Sequence, residues 1–468
     1  MTSAARALPA IALFGFLTAC GAFTNPLVAP VVIVVNGAIF PAGPVGSAVT
    51  INGAEFQGAQ GSGQVTFNPA AGGVPQAAVI LNPIDWTDGT IVTTVPTGCT
   101  PGTYYVSVTT GNGLTSNAYV FTVTPAVFVP SGLTWTASSS LPTAQSGTGV
   151  ASVQIQGNNY VYAVGGATAG GAPTASVYYA TVSSGGTLGA WQSTTSLPVA
   201  LAFTGVTAAT QYNSSVSTGG FLYVVGGASS AAGTPVATVY RASINSNGTL
   251  GSWSVNTTLP TPVRSAGAIV WYGSLFVVGG AGSGNTPSTN VYRWPVQVAG
   301  DLTPLKVQAS LPAPRARFGF GASGLYLYVF GGDSGSVTPN DSTPGSKQTA
   351  TIFYAKLVNN THDVAGWSTA STSLPAPRSA HTAVLQSGFA LVTGGLYSGG
   401  AAEEIYAPLN YSNGSVGAFT TSAGTIGRNL FNQGAGGYLG GDGTFHIAVV
   451  GGDDASAPAT RRVESFRY

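Results

Sequence analysis

Six glycine pairs recur along the C-terminal part of this 468-residue chain: Gly165-Gly166, Gly226-Gly227, Gly279-Gly280, Gly331-Gly332, Gly394-Gly395 and Gly451-Gly452. Successive pairs lie 61, 53, 52, 63 and 57 residues apart. A period of this size marks a repeat architecture, in which each unit cannot bury its apolar face alone and must stack on its neighbours. Each pair closes a short apolar run: YVYAVGG, FLYVVGG, SLFVVGG, YLYVFGG, FALVTGG and HIAVVGG. Unbroken apolar runs of this length suit strands buried on both faces. After a variable loop comes a third strand (SVYYATV, TVYRASI, NVYRWPV, TIFYAKL, EEIYAPL and finally RVESFRY). A Gly-x-Leu-Gly-x-Trp segment leading to Leu-Pro supplies a fourth, carrying Trp191, Trp253 and Trp367, with Leu305 and Phe419 as degenerate equivalents.

Counting strands predicts how the repeat closes. The last unit stops after its third strand at Tyr468, whereas the stretch from Leu133 through Trp135 to Leu141-Pro142 is a fourth strand with no unit of its own. That orphan is expected to complete the sixth unit, which removes an exposed sheet edge and closes a ring. Together these features resemble the kelch family across about 340 residues, whose units run to roughly 50 residues. The resemblance implies a six-bladed β-propeller over 131–468.

Composition agrees with an all-β chain. Its 67 glycines and 29 prolines favour turns over helix interiors, while 44% hydrophobic and 10% aromatic residues supply a core. Charged residues make up 6% and the formal net charge is +1, so no long-range field recruits nucleic acid. Residues 28–125 alternate apolar and polar positions in short runs split by Gly, Pro and Asn, the pattern of a sandwich. The segments VTINGAEF (Val49 to Phe56), VTFN (Val65 to Asn68), DWTDGTIVTTVP (Asp85 to Pro96) and PGTYYVSVTTGNG (Pro101 to Gly113) resemble an IPT/TIG domain. Such a domain is immunoglobulin-like and acts as a spacer or interaction module. Trp86 lies inside an alternating segment and is expected in its core. A short linker, 126–130, joins the two domains.

The N-terminus has a different character. Arg6 precedes an apolar run from Ala7 to Ala19 that is short for a bilayer span and suits a signal peptide, 1–19. Leu17-Thr18-Ala19-Cys20-Gly21 resembles the bacterial lipobox, which implies lipidation of Cys20 and a tether over 20–27. Gly21 rather than Asp after the cysteine favours the outer membrane, on its periplasmic or surface side. The acyl chains would anchor the protein stably. With Cys20 lipidated, the only other cysteine, Cys99, is left unpaired and is expected to be a buried or turn thiol.

Candidate binding residues gather around the starts of the innermost strands. Arg264, Arg315, Arg317, Arg378 and His381 follow the Leu-Pro segments, and Arg428 holds the matching place in the last unit. Strand direction puts these on the same face as Asp333, Asp453 and Asp454, which follow Gly-Gly pairs. Arginines converging on a channel mouth can hold a carboxylate bidentately. The competing role is structural, each arginine pairing with an aspartate or a carbonyl to staple blades.

Several chemistries are disfavoured by what the repeat region contains. A copper radical oxidase of the galactose oxidase kind needs a Tyr cross-linked to Cys. This region has no cysteine, and His362, His381 and His446 lie in different units. Sialidase Asp turns and the Walker, dinucleotide, haem and zinc-protease motifs do not occur. The Asp-rich turns around Asp442 and Asp453-Asp454 are where a structural Ca²⁺ comes into consideration, but they fall short of a dedicated loop's ligand count, and no cofactor is expected. Glu403, Glu404 and Glu464 sit at or beside third strands, away from the axis. The leading expectation is a non-enzymatic, envelope-anchored protein whose propeller loops engage a protein or glycan, with no nucleic-acid partner. The alternatives are a carbohydrate-active enzyme, similar to the six-bladed kelch sialic-acid mutarotases or a lyase, and a structural part of an extracellular assembly.

Overall fold

The computed structural model describes residues 29–35, 41–45, 47–80, 85–124, 135–210, 219–339, 341–343, 347–358, 361–386, 388–397, 404–410, 413–422, 430–440, 445–454 and 459–467. Within them the chain is all-β, with its strands in eight sheets. Six of these have four antiparallel strands each. The first runs Gly149–Ile155, Asn158–Val164, Val177–Thr181, Gln192–Ser193, and the next four repeat that meander. The sixth contains Gly434–Leu439, Phe445–Val450 and Val463–Arg467, and takes its outer strand, Trp135–Ala137, from before the first sheet. The pairs Glu464↔Ala137, Ser465↔Thr136 and Phe466↔Trp135 set that register. The orphan strand therefore sits where strand counting places it.

The sheets, here called blades, form a closed ring. Their first strands, Gly149–Ile155, Gly205–Thr210, Gly267–Trp271, Gly319–Ser323, Thr382–Gln386 and Gly434–Leu439, touch in succession, and the last touches the first. Crowding at the axis favours small residues at the strand starts. A Cβ on Gly205 would stand 2.7 Å from that of Ala268. Second strands are buried along nearly their whole length, as in Gly220–Val225 and Tyr326–Phe330, which is why they appear in the sequence as unbroken apolar runs. Outer strands are mostly two exposed residues long, leaving little free edge for another chain. The exception is Ser254–Val263 in blade two, where Pro260 and Pro262 remove donors.

Two sets of bonds lock neighbouring blades. The second glycine of every pair donates its N–H to the carbonyl that leads into the next blade, at 2.6–2.9 Å, including Gly452 to Gln145 across the closing seam. These glycines have φ of 92–113°, a region that L side chains rarely adopt, so the doublet is a backbone requirement of the staple. At the rim, the indole N–H groups of Trp191, Trp253 and Trp367 donate to Ser139, Thr195 and Ala309 carbonyls of the preceding blade's outer segment at 2.9–3.0 Å.

The N-terminal domain packs two sheets face to face. One holds Val31–Val35, Ala48–Ala54 and Thr90–Thr94. The other orders Ala42–Pro44, Tyr119–Thr124, Gly102–Thr109, Gln64–Pro69 and Gln76–Ala77. Ile51, Phe67, Val106 and Phe121 fill the space between, and Phe67 meets Phe121 edge-on at 5.4 Å. Trp86 is 1% exposed and donates to the Phe56 carbonyl, a core residue as expected. Cys99 is buried and free, and burial pushes its thiol up.

This domain meets the ring on the face that carries the turns between first and second strands. Val34 packs with the cluster of Trp271, Tyr272 and Phe276, and Ala42 packs with the cluster that includes Phe445. The loops between second and third strands lie on the opposite face. No helix among those residues is long and apolar enough to cross a membrane.

Candidate functional site

The loop face is organised by a three-residue lead-in to each first strand. In blade order the triplets are Gln145-Ser146-Gly147, Leu201-Ala202-Phe203, Val263-Arg264-Ser265, Arg315-Ala316-Arg317, Arg378-Ser379-Ala380 and Leu430-Phe431-Asn432. The first residue gives its carbonyl to the glycine staple. The second bridges the residue after the Gly-Gly of its own blade, as in Ala316↔Asp333 and Phe431↔Asp453. The third is left-handed, with φ of 51–60° in all six blades.

These third residues form a hydrogen-bonded crown. Each donates its N–H to the carbonyl of its counterpart one blade back: Phe203 to Gly147, Ser265 to Phe203, Arg317 to Ser265, Ala380 to Arg317, Asn432 to Ala380 and Gly147 to Asn432, at 2.7–3.4 Å. Five are not glycine, so the left-handed strain is held by the ring itself. The crown rims a mouth of about 200 Å³ whose wall includes Phe203, Ser265, Arg317, His381 and Asn432. Below it the channel continues as a chamber of about 240 Å³ with a more apolar wall, which includes Val206, Ala268, Phe320, Leu385 and Phe445.

The sequence candidates fall on different rows of this frame. Of the basic residues, Arg317 and His381 border the mouth, whereas Arg264, Arg315 and Arg378 do not. The expected ring of arginines is thus one arginine at the mouth, beside His381, and three within the loop layer. Arg428 lies outside the described residues, as do Cys20, Glu403 and Asp442.

Arg264 is fully buried. Its Nη2 donates to Asn285 Oδ1 at 2.7 Å and the Val337 carbonyl at 2.6 Å, while Nε and Nη1 have no partner. Burial first, then Arg317, pushes it down to about 10, with Asp333 acting the other way. It remains a cation at neutral pH. Arg315 donates to the Pro314 carbonyl and lies over Phe353 at 4.6 Å, and burial lowers its pKa. Arg378 donates to the Gly394 carbonyl and lies over Tyr397 at 4.6 Å.

Arg317 makes the buried ion pair of the face. Its Nε meets Asp333 Oδ2 at 2.7 Å and its Nη1 donates to the Asp341 carbonyl, with the paired side chains 3% and 2% exposed. Asp453 is saturated by Ser146 Oγ, Asn432 Nδ2 and the Ala459 N–H, tying blade six to blade one. Asp454 is also buried. Asp333 and Asp453, the two aspartates among the candidate binding residues, are thus engaged within the fold. Among the described residues no group of three His, Cys, Asp or Glu side chains is placed to hold a metal ion.

His381 is locked as a neutral imidazole. Its Nε2 accepts the Gly319 N–H at 3.0 Å, which puts the ring proton on Nδ1, facing the Phe330 and Ser379 carbonyls without a well-formed hydrogen bond. Burial, reinforced by Arg378, pushes it down to about 3. Its lone pair is occupied by the backbone, so it does not offer a base to a ligand. Glu464 pairs with Arg462 at 2.7 Å and Glu404 is buried, both on or beside third strands.

Sequence reasoning did not single out Phe203, Ser265 or Asn432. Their shared signal is position: Phe203 and Ser265 lie at the third place of a triplet that begins four residues after a recurrent Leu in the first five blades, as from Leu311 to Arg315, and Asn432 holds the same place in blade six, where that Leu is lost. No family model matches the chain, and no curated protein matches its sequence.

Proposed function

We propose that this chain is a binding protein of a bacterial cell envelope, anchored through Cys20, with an IPT/TIG-like spacer and a kelch-type propeller whose loop face takes a protein or glycan ligand. The observation that carries this reading is the division of the ring's two faces. The sandwich, which leads back to the N-terminus, occupies the turn face. The loops of the other face differ in length, from 226–235 in blade two to 331–351 in blade four. A rigid ring that presents variable loops away from its tether is suited to recognition.

The enzymatic alternative calls for an acid and a base converging on the mouth. His381 gives its lone pair to Gly319, and Asp333 is tied to Arg317, so neither supports that alternative. The test is a glycan and peptide array probed with the chain and with four variants, Thr168→Arg, Ala231→Arg, Ser283→Arg and Ser334→Arg, each at an exposed loop position of a different blade. At least one is expected to weaken the captured ligand by about tenfold. Full affinity in all four overturns the loop-face reading.

A further inference from the structure

Where the sandwich meets the ring there is a cavity of about 550 Å³, larger than the channel mouth at about 200 Å³. Small-molecule sites span roughly 300–1,000 Å³ and concentrate at domain seams. The sandwich contributes Asn52, Gly53 and the turn 87–90, and the ring contributes Tyr272, Val296 and His362.

The polar groups on this wall are not used up by the fold. Asn52 is 7% exposed; its Oδ1 accepts from Thr90 Oγ1 at 3.1 Å, and its Nδ2 has no partner. A buried amide donor left unpaired is unfavourable unless something else accepts from it. Asp88 is exposed and accepts the Gln57 N–H on Oδ1, which leaves its other carboxylate oxygen for a ligand. His362 stacks on Tyr272 with ring centroids 4.6 Å apart and planes 12° from parallel, which fixes the imidazole in the wall. Burial, with Arg293 adding to it, pushes His362 down to about 4, so at neutral pH the ring offers one donor and one acceptor.

Charge narrows the ligand class. Among the described residues the cavity wall carries no cation, and Arg293, which acts on His362, is bound to Asp363 at 2.8 Å. An anionic ligand would meet Asp88 without a counter-charge. A hydroxyl group donates one hydrogen bond and accepts others, so adjacent hydroxyls match an amide donor, a carboxylate acceptor and a neutral imidazole together.

We infer that this seam is a binding site for a neutral saccharide unit, held between Asn52 and Asp88 of the sandwich and His362 of the ring. A ligand there contacts both bodies and strengthens their docking. The site lies on the turn face and does not rest on the loop-face reading.

The test uses the full chain titrated with D-glucose, D-galactose and N-acetyl-D-glucosamine, with acetate and methylammonium as charge controls, followed by saturation-transfer NMR. Asp88→Asn and His362→Gln are measured alongside, each first shown to keep the parent circular dichroism. The expected result is saturable binding of at least one sugar that both variants weaken by about tenfold or more, with Gly185→Ala, a substitution in open space away from either face's candidate site, unchanged. Four outcomes overturn the proposal: no sugar binds; binding survives both variants; only one variant matters, which puts the ligand on a single body; or methylammonium binds in an Asp88-dependent way while the sugars stay silent.

Discussion

Replacing His381 by Gln should remove a defined part of the protein's acid sensitivity. The imidazole is 4% exposed and its folded pKa is about 3, against about 6.5 in an unfolded chain. Between those values the unfolded state binds a proton that the folded state refuses. The sign follows: stability contributed by neutral His381 is intact above pH 6.5 and declines as pH falls toward 3. At pH 5.0 the unfolded chain is favoured by 2.303RT·log(1 + 10^1.5), about 2 kcal/mol, and at pH 7.0 by only a small fraction of that. Gln does not titrate, and its side-chain oxygen can accept the Gly319 N–H. Blade six already carries Gln433 at the equivalent place, so the shape is compatible with the frame. The assay is urea unfolding followed by tryptophan fluorescence at pH 7.0 and 5.0 for the parent and His381→Gln. The other histidines are common to both proteins and cancel in the double difference. The parent should lose about 2 kcal/mol more than the variant between the two pH values. An identical pH dependence would refute the buried neutral imidazole.

Three further outcomes follow from the staples. Gly332→Ala, where φ is 92° and a Cβ would stand 2.7 Å from Phe318 Cβ and 2.8 Å from the Ala316 carbonyl, should destabilise by about 1–3 kcal/mol. Gly185→Ala, in open space, should change stability by less than about 0.5 kcal/mol, and equal effects in denaturant titrations would sink the backbone argument. Arg317→Met strands the Asp333 carboxylate and should cost about 3–5 kcal/mol, while Arg317→Met with Asp333→Leu should recover much of it; a double-mutant cycle without coupling contradicts the pair. Deleting 133–141 removes the outer strand of blade six together with fully buried Leu141, so the melting temperature should fall, and an unchanged value argues against closure by that strand.

Much of the frame was legible before any coordinates. The runs FLYVV and YLYVF announce strands covered on both faces, because burial between neighbouring blades removes the usual apolar-polar alternation. The unmatched strand at Trp135 predicted which partner would complete blade six, since a missing outer strand and an orphan one imply each other. Trp86 and Cys99 were also placed correctly, because an aromatic within an alternating segment and a thiol without neighbours have few alternatives to the core.

The mouth was far less legible. Arg315 and Arg317 are two residues apart, yet one lies over Phe353 and the other reaches Asp333 beside the channel. A single left-handed residue between lead-in and strand redirects the chain, so a one-step difference in register sends a side chain to another layer. Aligning the cations by proximity to Leu-Pro merged three rows that counting from the Leu would have separated. The seam cavity had no local signal at all, because Asn52, Tyr272 and His362 meet only when two domains dock.

By itself, then, the sequence determined the all-β class, the number of repeating units, the closing strand and the doublets that need glycine. These depend on residue period and on backbone permissiveness, both of which act over a few residues. Only the tertiary structure decided which arginine reaches the channel, that His381 is held neutral by a backbone N–H from the neighbouring blade, and that Asn52 faces His362 across a seam. Those facts depend on partners that range from 16 residues away, as for Arg317 and Asp333, to 62 and beyond, as for His381 and Gly319, where direction and burial are set by how blades and domains pack rather than by any neighbour in the chain.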